Sequence, residues 1–179
     1  MLKKKLKYIT VLLVLFSSCL VAYAKTKRQK YIDFELPDLS SGVVRLSKIV
    51  GKKVVLLTFW TTWCPCCQRE IPLLNKLRLK YEDEGLEVIS INIHEFPRYV
   101  RRYVKRKRIG YRVLLDRDAK VAKAYKVMGI PTNIVIDKDG YIVFRDYVLP
   151  SEEKLKKWLS ELEAHKRRKG RKRNGKRKD

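Results

Sequence analysis

The sequence predicts an α/β domain, a central β-sheet flanked by helices, and three observations predict it. The continuous apolar run "VVLLTFW" (54–60) and the mainly apolar "LEVISINI" (86–93) have the length and composition of buried strands. Between the runs lie segments with helical spacing, of which Ile71, Leu74, Leu77 and Tyr81 form the longest. Turn signals at Ser41-Gly42 and Lys138-Asp139-Gly140 mark hairpins at the two ends of the domain.

Taken in order, the chain begins with an export signal. Lys3, Lys4, Lys5 and Lys7 precede the uncharged "YITVLLVLFSSCLVAYA", which closes on Ala22-Tyr23-Ala24, a small-x-small cleavage pattern. Three fates fit residues 1–24: cleavage as a signal peptide, retention as a membrane anchor, or lipidation at Cys19. Each delivers the domain to a compartment where disulfides form, periplasmic or elsewhere in the cell envelope. Residues 25–30 are a basic linker and 31–165 the folded domain.

Within the domain, a hairpin leads into the strand "VVLLTFW". A helix then starts near Pro65, carries Pro72 and stops at Glu84-Gly85. After "LEVISINI", the stretch "PRYVRRYVKRKR" sets Arg98, Arg101, Arg102 and Lys105 on one helical face and Tyr99, Val100, Tyr103 and Val104 on the other. A solvated face is the plain explanation of those charges. "YRVLLD" reads as a strand, "AKVAKAYKV" as a short helix, and "NIVID" and "YIVFRDY" as a hairpin. A last helix starts near Ser151, with Leu155, Trp158, Leu159 and Leu162 facing inward. The order is ββ-βαβ-αβ-αββ-α. From residue 166 to 179 nothing can be buried, so the tail is expected to be disordered.

The charge narrows the partners. Forty-three Lys and Arg against nineteen Asp and Glu give +24, and the tail alone holds ten cations against Asp179. Such a field attracts anionic membrane surfaces, acidic proteins or nucleic acid. Export removes nucleic acid as an expected partner and leaves an anionic membrane surface for the tail.

The chemistry concentrates in "WTTWCPCC" (60–67), where a buried strand turns into a helix. If Pro65 is the first helical residue, Cys64 is the N-cap and its sulfur can accept from the N–H groups of Cys66 and Cys67. Those bonds and the helix dipole favour the thiolate, so Cys64 is the nucleophile. Geometry selects its partner. Positions i and i+3 lie within disulfide range, whereas adjacent Cys66 and Cys67, about 3.8 Å apart at Cα, do not reach an unstrained bridge. Cys66 leaves the helix roughly 200° away from Cys64. Cys67 therefore resolves, and Cys66 stays outside the resting disulfide. Half of a zinc site is the competing use of C-x-x-C, but the only histidines are His94 and His165, and no second ligand pair exists. No metal and no cofactor are expected.

The segments "FWTTWCPCCQREIP", "DFELPDLSSGVVRLSKIVGKKVVLL" and "GIPTNIVIDKDG" resemble the TlpA/ResA-like thiol-disulfide oxidoreductases over about residues 31–162. The resemblance implies a thioredoxin fold: a central mixed sheet flanked by helices, with an N-terminal β-hairpin and an inserted helix-strand element. It implies Cys64 and Cys67 as the redox pair, Pro131 as a cis-proline facing them, and Ile130 as the residue whose backbone pairs with substrate. Trp63 matches the motif tryptophan. Glu70 matches a carboxylate near the active-site cysteines, against the simpler reading of a surface helix residue. Two departures stand out: Thr58 occupies the place of the buried aspartate of cytosolic thioredoxins, and Pro65-Cys66 is an unusual intervening pair.

The function expected from these residues is reduction of extracytoplasmic cysteine pairs, the haem-attachment cysteines of c-type apocytochromes among them, with a membrane electron donor restoring the dithiol. A peroxiredoxin-like peroxidase and a thiol-based copper carrier are the competing functions.

Overall fold

The computed structural model describes residues 28–40 and 42–175, so the expected export segment of residues 1–24, with Cys19, and the end of the basic tail lie outside the described residues. Strands β1 (Glu35–Pro37) and β2 (Val43–Arg45) form the antiparallel N-terminal hairpin, closed through Gly42 at φ 74°. Then follow β3 (Val54–Trp60), α1 (Pro65–Tyr81), β4 (Leu86–Ile93), α2 (Pro97–Lys107), β5 (Arg112–Asp116), α3 (Lys120–Ala124), β6 (Thr132–Ile136), β7 (Ile142–Asp146) and α4 (Glu152–Gly175). The order is the one the sequence predicts, with a 3-10 turn added at Leu46–Lys48.

The main sheet runs β5-β4-β3-β6-β7. Its first three strands are parallel, while β6 and β7 run antiparallel to their neighbours. Every residue of the central strand β3 is buried, because both its faces are covered. Successive side chains alternate between those faces. Val54 and Leu56 pack with Leu74, Leu77 and Tyr81 of α1 and with Leu155, Leu159 and Leu162 of α4. Val55, Leu57 and Phe59 pack on the other side with Leu36, Leu46, Val121 and Tyr125. A third cluster gathers at the C-terminal end of β3, where Trp60, Cys64, Cys67 and Ile71 meet Val100 and Tyr103 of α2. The mixed sheet flanked by helices is the expected thioredoxin-type architecture.

Three local features differ from the sequence reading. Tyr99, placed on the inner side of α2, is exposed, since Val100 and Tyr103 already fill the contact with the third cluster. The end of the basic linker joins the sheet edge: Tyr31 N–H donates to the Gly140 carbonyl and Ile142 N–H to the Gln29 carbonyl. Finally, α4 continues to Gly175, where a disordered tail was expected from residue 166. Lys and Arg are good helix formers, and a helix already docked through Leu155, Leu159 and Leu162 extends without a new nucleation cost.

Candidate active site

The backbone turn after β3 builds the site. Cys64 is the N-cap of α1 in extended conformation (φ −80°, ψ 111°), Pro65 follows within the first helical positions, and Cys67 N–H donates to Cys64 Sγ at 3.1 Å. Of the two N–H groups expected to reach that sulfur, only that of Cys67 does so. Cys64 and Cys67 are joined as a disulfide with Cα atoms 5.3 Å apart. Cys66 is a free, exposed thiol, and Arg69 Nη2 donates to it at 3.1 Å. The one-turn spacing thus decides the pairing, and Cys66 points elsewhere.

Ile130 places its carbonyl oxygen 3.8 Å from Cys64 Sγ, and the Ile130–Pro131 peptide bond is cis. Trp63 is 69% exposed beside the disulfide, whereas Trp60 turns inward against Tyr103. Glu70 is no surface residue. It is buried on the same face of α1 as Cys67, and Asn133 Nδ2 donates to both its carboxylate oxygens, at 3.0 and 3.1 Å. Burial raises the Glu70 pKa above the ordinary carboxylate value, and the Asn133 bonds oppose that rise. Glu70 in turn contributes to the upward shift of the buried Tyr111 phenol, whose main cause is desolvation.

Two parts of the site escaped the sequence reading. Asn133 stands opposite Thr58 in the β3–β6 register, so the strand entering from Pro131 supplies the donor that holds Glu70. An asparagine inside an apolar strand run is a signal that could have revealed it. Glu95 grips the active-site loop from the far side. Its Oε2 accepts from Thr62 N–H at 2.7 Å and from Asn92 Nδ2 at 2.7 Å, while its Oε1 accepts from the Thr62 hydroxyl at 2.5 Å. Gln68 completes the frame by donating to the Thr62 carbonyl at 3.0 Å. A cleft of about 540 Å³ between Arg78, Arg101 and Tyr111 includes neither sulfur, so it is not the redox site.

A cysteine N-cap bonded into a disulfide one turn along, facing a cis X–Pro bond, is an arrangement for reversible thiol exchange. Residues 28–145 match the model of the AhpC/TSA family. The chain belongs to that family, among its ResA-like thiol-disulfide oxidoreductases. It is 32% identical over 130 residues to the thiol-disulfide oxidoreductase ResA of Bacillus cereus strain ATCC 10987, covering 73% of this chain and 75% of that one. ResA of Geobacillus kaustophilus is 38% identical over 110 residues, 62% of this chain and 63% of its own. Among solved structures, a Chlorobium tepidum protein assigned as thiol:disulfide interchange protein DsbE superposes with a TM-score of 0.67 at 28% identity, over 76% of this chain and 96% of that one. A second Chlorobium tepidum thiol:disulfide interchange protein, at 22% identity and a TM-score of 0.66, covers 78% of this chain and 99% of its own and shares the fold. This ResA-like chain is therefore a thiol-disulfide oxidoreductase acting on cysteine-containing proteins.

Proposed function

We propose that this oxidoreductase works outside the cytoplasm as a reductant of protein cysteine pairs, with the haem-attachment cysteines of c-type apocytochromes as one substrate class. The observation that carries the thiol-exchange chemistry, with Cys64 as its nucleophile, is the 3.1 Å bond from Cys67 N–H to Cys64 Sγ at the start of α1. In the dithiol form that donor and the helix terminus favour a Cys64 thiolate near neutral pH. The thiolate attacks a substrate disulfide, its S–S bond breaks, and the departing sulfur takes up a proton. Cys64 is then joined to substrate in a mixed disulfide. Cys67 loses its proton and attacks Cys64, and the second substrate sulfur leaves as a thiol. Two electrons and two protons pass to the substrate, and the chain is left as the Cys64–Cys67 disulfide.

Ile130 and Pro131 present a backbone carbonyl beside Cys64, suited to aligning a substrate strand, and the exposed Trp63 ring next to Cys64 in the chain offers that strand an apolar surface. Glu70 lies on the Cys67 side of the helix and serves as the group that exchanges a proton with it. A membrane dithiol donor then restores the reduced form, and the basic tail holds the domain near an anionic membrane surface. The export segment of residues 1–24 supports the location.

The equilibrium potential of the Cys64/Cys67 couple tests the direction. A value near about −270 mV fits a reductant, and one near about −120 mV describes an oxidant and ends this reading. Peroxide consumption by the same preparation separates a peroxidase from both.

A further inference from the structure

The basic helix α2 has an end that the redox reaction leaves unexplained. From Phe96 to Leu115 the chain holds eight Lys and Arg and no Asp or Glu. Arg112 pairs with Asp38 and Glu87, but the seven cations from Arg98 to Arg108 have no carboxylate within 4.0 Å among the described residues. At the start of the helix, cations lie against exposed rings. The Arg98 guanidinium carbon is 4.7 Å from the Tyr99 ring centre and 5.9 Å from that of Phe96, and the guanidinium carbon of Arg117, just after β5, lies 5.0 Å from the Phe96 ring centre. Phe96 and Tyr99 are both more than half exposed and meet edge to face. The acidic neighbours are occupied: Glu95 turns inward to Thr62 and Asn92, Asp116 is buried and accepts from the N–H groups of Val121 and Ala122, and Asp118 pairs with Lys120.

The parallel topology fixes where this ledge sits. Strands β3 and β4 run side by side, so the turn after Trp60 that holds the disulfide and the loop after Ile93 that starts α2 emerge at the same end of the sheet. Glu95, one residue before Phe96, is bonded directly to Thr62, two residues before Cys64. The basic tail leaves from the opposite end, where Leu162 and Lys166 lie over Gly85 just ahead of β4. Seven strand residues at about 3.3 Å each separate the two ends by roughly 20 Å.

We propose that the ledge of Phe96, Arg98, Tyr99 and Arg117 is a specificity surface that selects protein substrates whose cysteine pair is flanked by acidic residues. The inference rests on the reductase function proposed above and names its substrate class. The two guanidinium groups, which have no carboxylate partner among the described residues, meet substrate carboxylates, with Arg98 steadied by its bond to the Tyr99 hydroxyl, and the two rings give those side chains an apolar backing. An anionic membrane is the other surface that such a ledge could meet. Lying at the disulfide's own end, it would then turn Cys64 toward lipid and away from protein disulfides. The tail, at the far end, can hold a membrane while the ledge faces substrate.

The test compares two peptides with the same disulfide-bonded Cys-x-x-Cys core, one flanked by Asp and Glu and one by Gln and Ser. The reduced full chain should reduce the acidic peptide with a kcat/KM about tenfold higher at low salt, and the advantage should shrink as salt is raised. Arg98→Glu/Arg117→Glu should reverse the preference, Arg98→Gln/Arg117→Gln should erase it, and both should reduce uncharged hydroxyethyl disulfide like the wild type. The Gln pair gives the answer if charge reversal unfolds the protein. Equal rates on the two peptides, or a preference that survives in the Gln pair, overturn the ledge while leaving the reductase standing. A wild type without peptide preference, whose Gln pair loses binding to phosphatidylglycerol vesicles, overturns it in favour of a membrane contact. Failure of the wild type to reduce any of the three disulfides removes the reductase reading, and the ledge with it.

Discussion

Glu95→Ala removes the acceptor for three donors at once: Thr62 N–H at 2.7 Å, the Thr62 hydroxyl at 2.5 Å and Asn92 Nδ2 at 2.7 Å. Hydrogen bonds to a charged group contribute about 1.5–3 kcal/mol each. Glu95 is only half-buried, so water replaces part of what is lost, and a net cost of about 2–4 kcal/mol is expected. For a domain of this size that is a fall in Tm of about 5–15 °C. Gln68 still holds the Thr62 carbonyl at 3.0 Å, so the loop should loosen on one side without detaching. Trp63 and Cys64 follow Thr62 directly, and imprecise placement of a reacting group lowers the rate, here by about tenfold. Glu95→Gln keeps one carbonyl acceptor and should recover about half of the stability. Thermal unfolding of the oxidised protein and kcat/KM for disulfide reduction read the two effects separately. If Tm and rate are both unchanged in Glu95→Ala, the loop is held by its own backbone and the positioning role of Glu95 is wrong.

Burial raises the Glu70 pKa in the folded state, so its favourable contribution belongs to the protonated form, is complete below the unfolded pKa and is lost as pH rises through the folded one. Glu70→Gln should therefore melt higher than wild type at pH 7, with the gap closing toward about pH 4, and should remove a step from the pH profile of thiol exchange; coincident profiles would leave Glu70 with a packing role only. Cys66→Ser should keep turnover within a few-fold, whereas Cys64→Ser should abolish it and Cys67→Ser should accumulate a mixed disulfide through Cys64; peptide mapping of a dominant Cys66 linkage in the oxidised wild type would contradict these roles. Truncation after His165 should abolish salt-sensitive binding to anionic vesicles, since each tail cation adds about 1 kcal/mol near such a surface. The same truncation should leave reduction unchanged, because it removes only the exposed Lys166–Glu163 pair from the side chains described; a loss of activity on small disulfides would show that the tail supports the domain.

What the sequence discloses and what it hides divide along the distance between interacting residues. The strands were readable because β3 and β4 are covered on both faces, which leaves a continuous apolar run in β3 broken only by Thr58 and a mainly apolar one in β4, and neither needs knowledge of the partner strand. The Cys64–Cys67 pairing was readable because an N-cap and its i+3 partner lie within four residues, and helix geometry alone orders them. Glu70 was half readable. Its spacing put it on the face of Cys67, but its burial depends on Asn133, a residue 63 positions later that only the β3–β6 pairing brings opposite Thr58. Glu95 carried no local mark, because its partner Thr62 lies 33 residues back and meets it only when two parallel strands end together. Composition misled at the tail, where the lack of apolar residues argued for disorder while α4, already docked, carried the helix forward. The basic face of α2 shows how both kinds of information combine. Its charge is plain in the sequence, yet charge alone fits a solvated face as well as a working one. Only the topology, which starts α2 at the disulfide's end of the sheet and sends the tail from the other, gives that charge a direction and so a substrate to select.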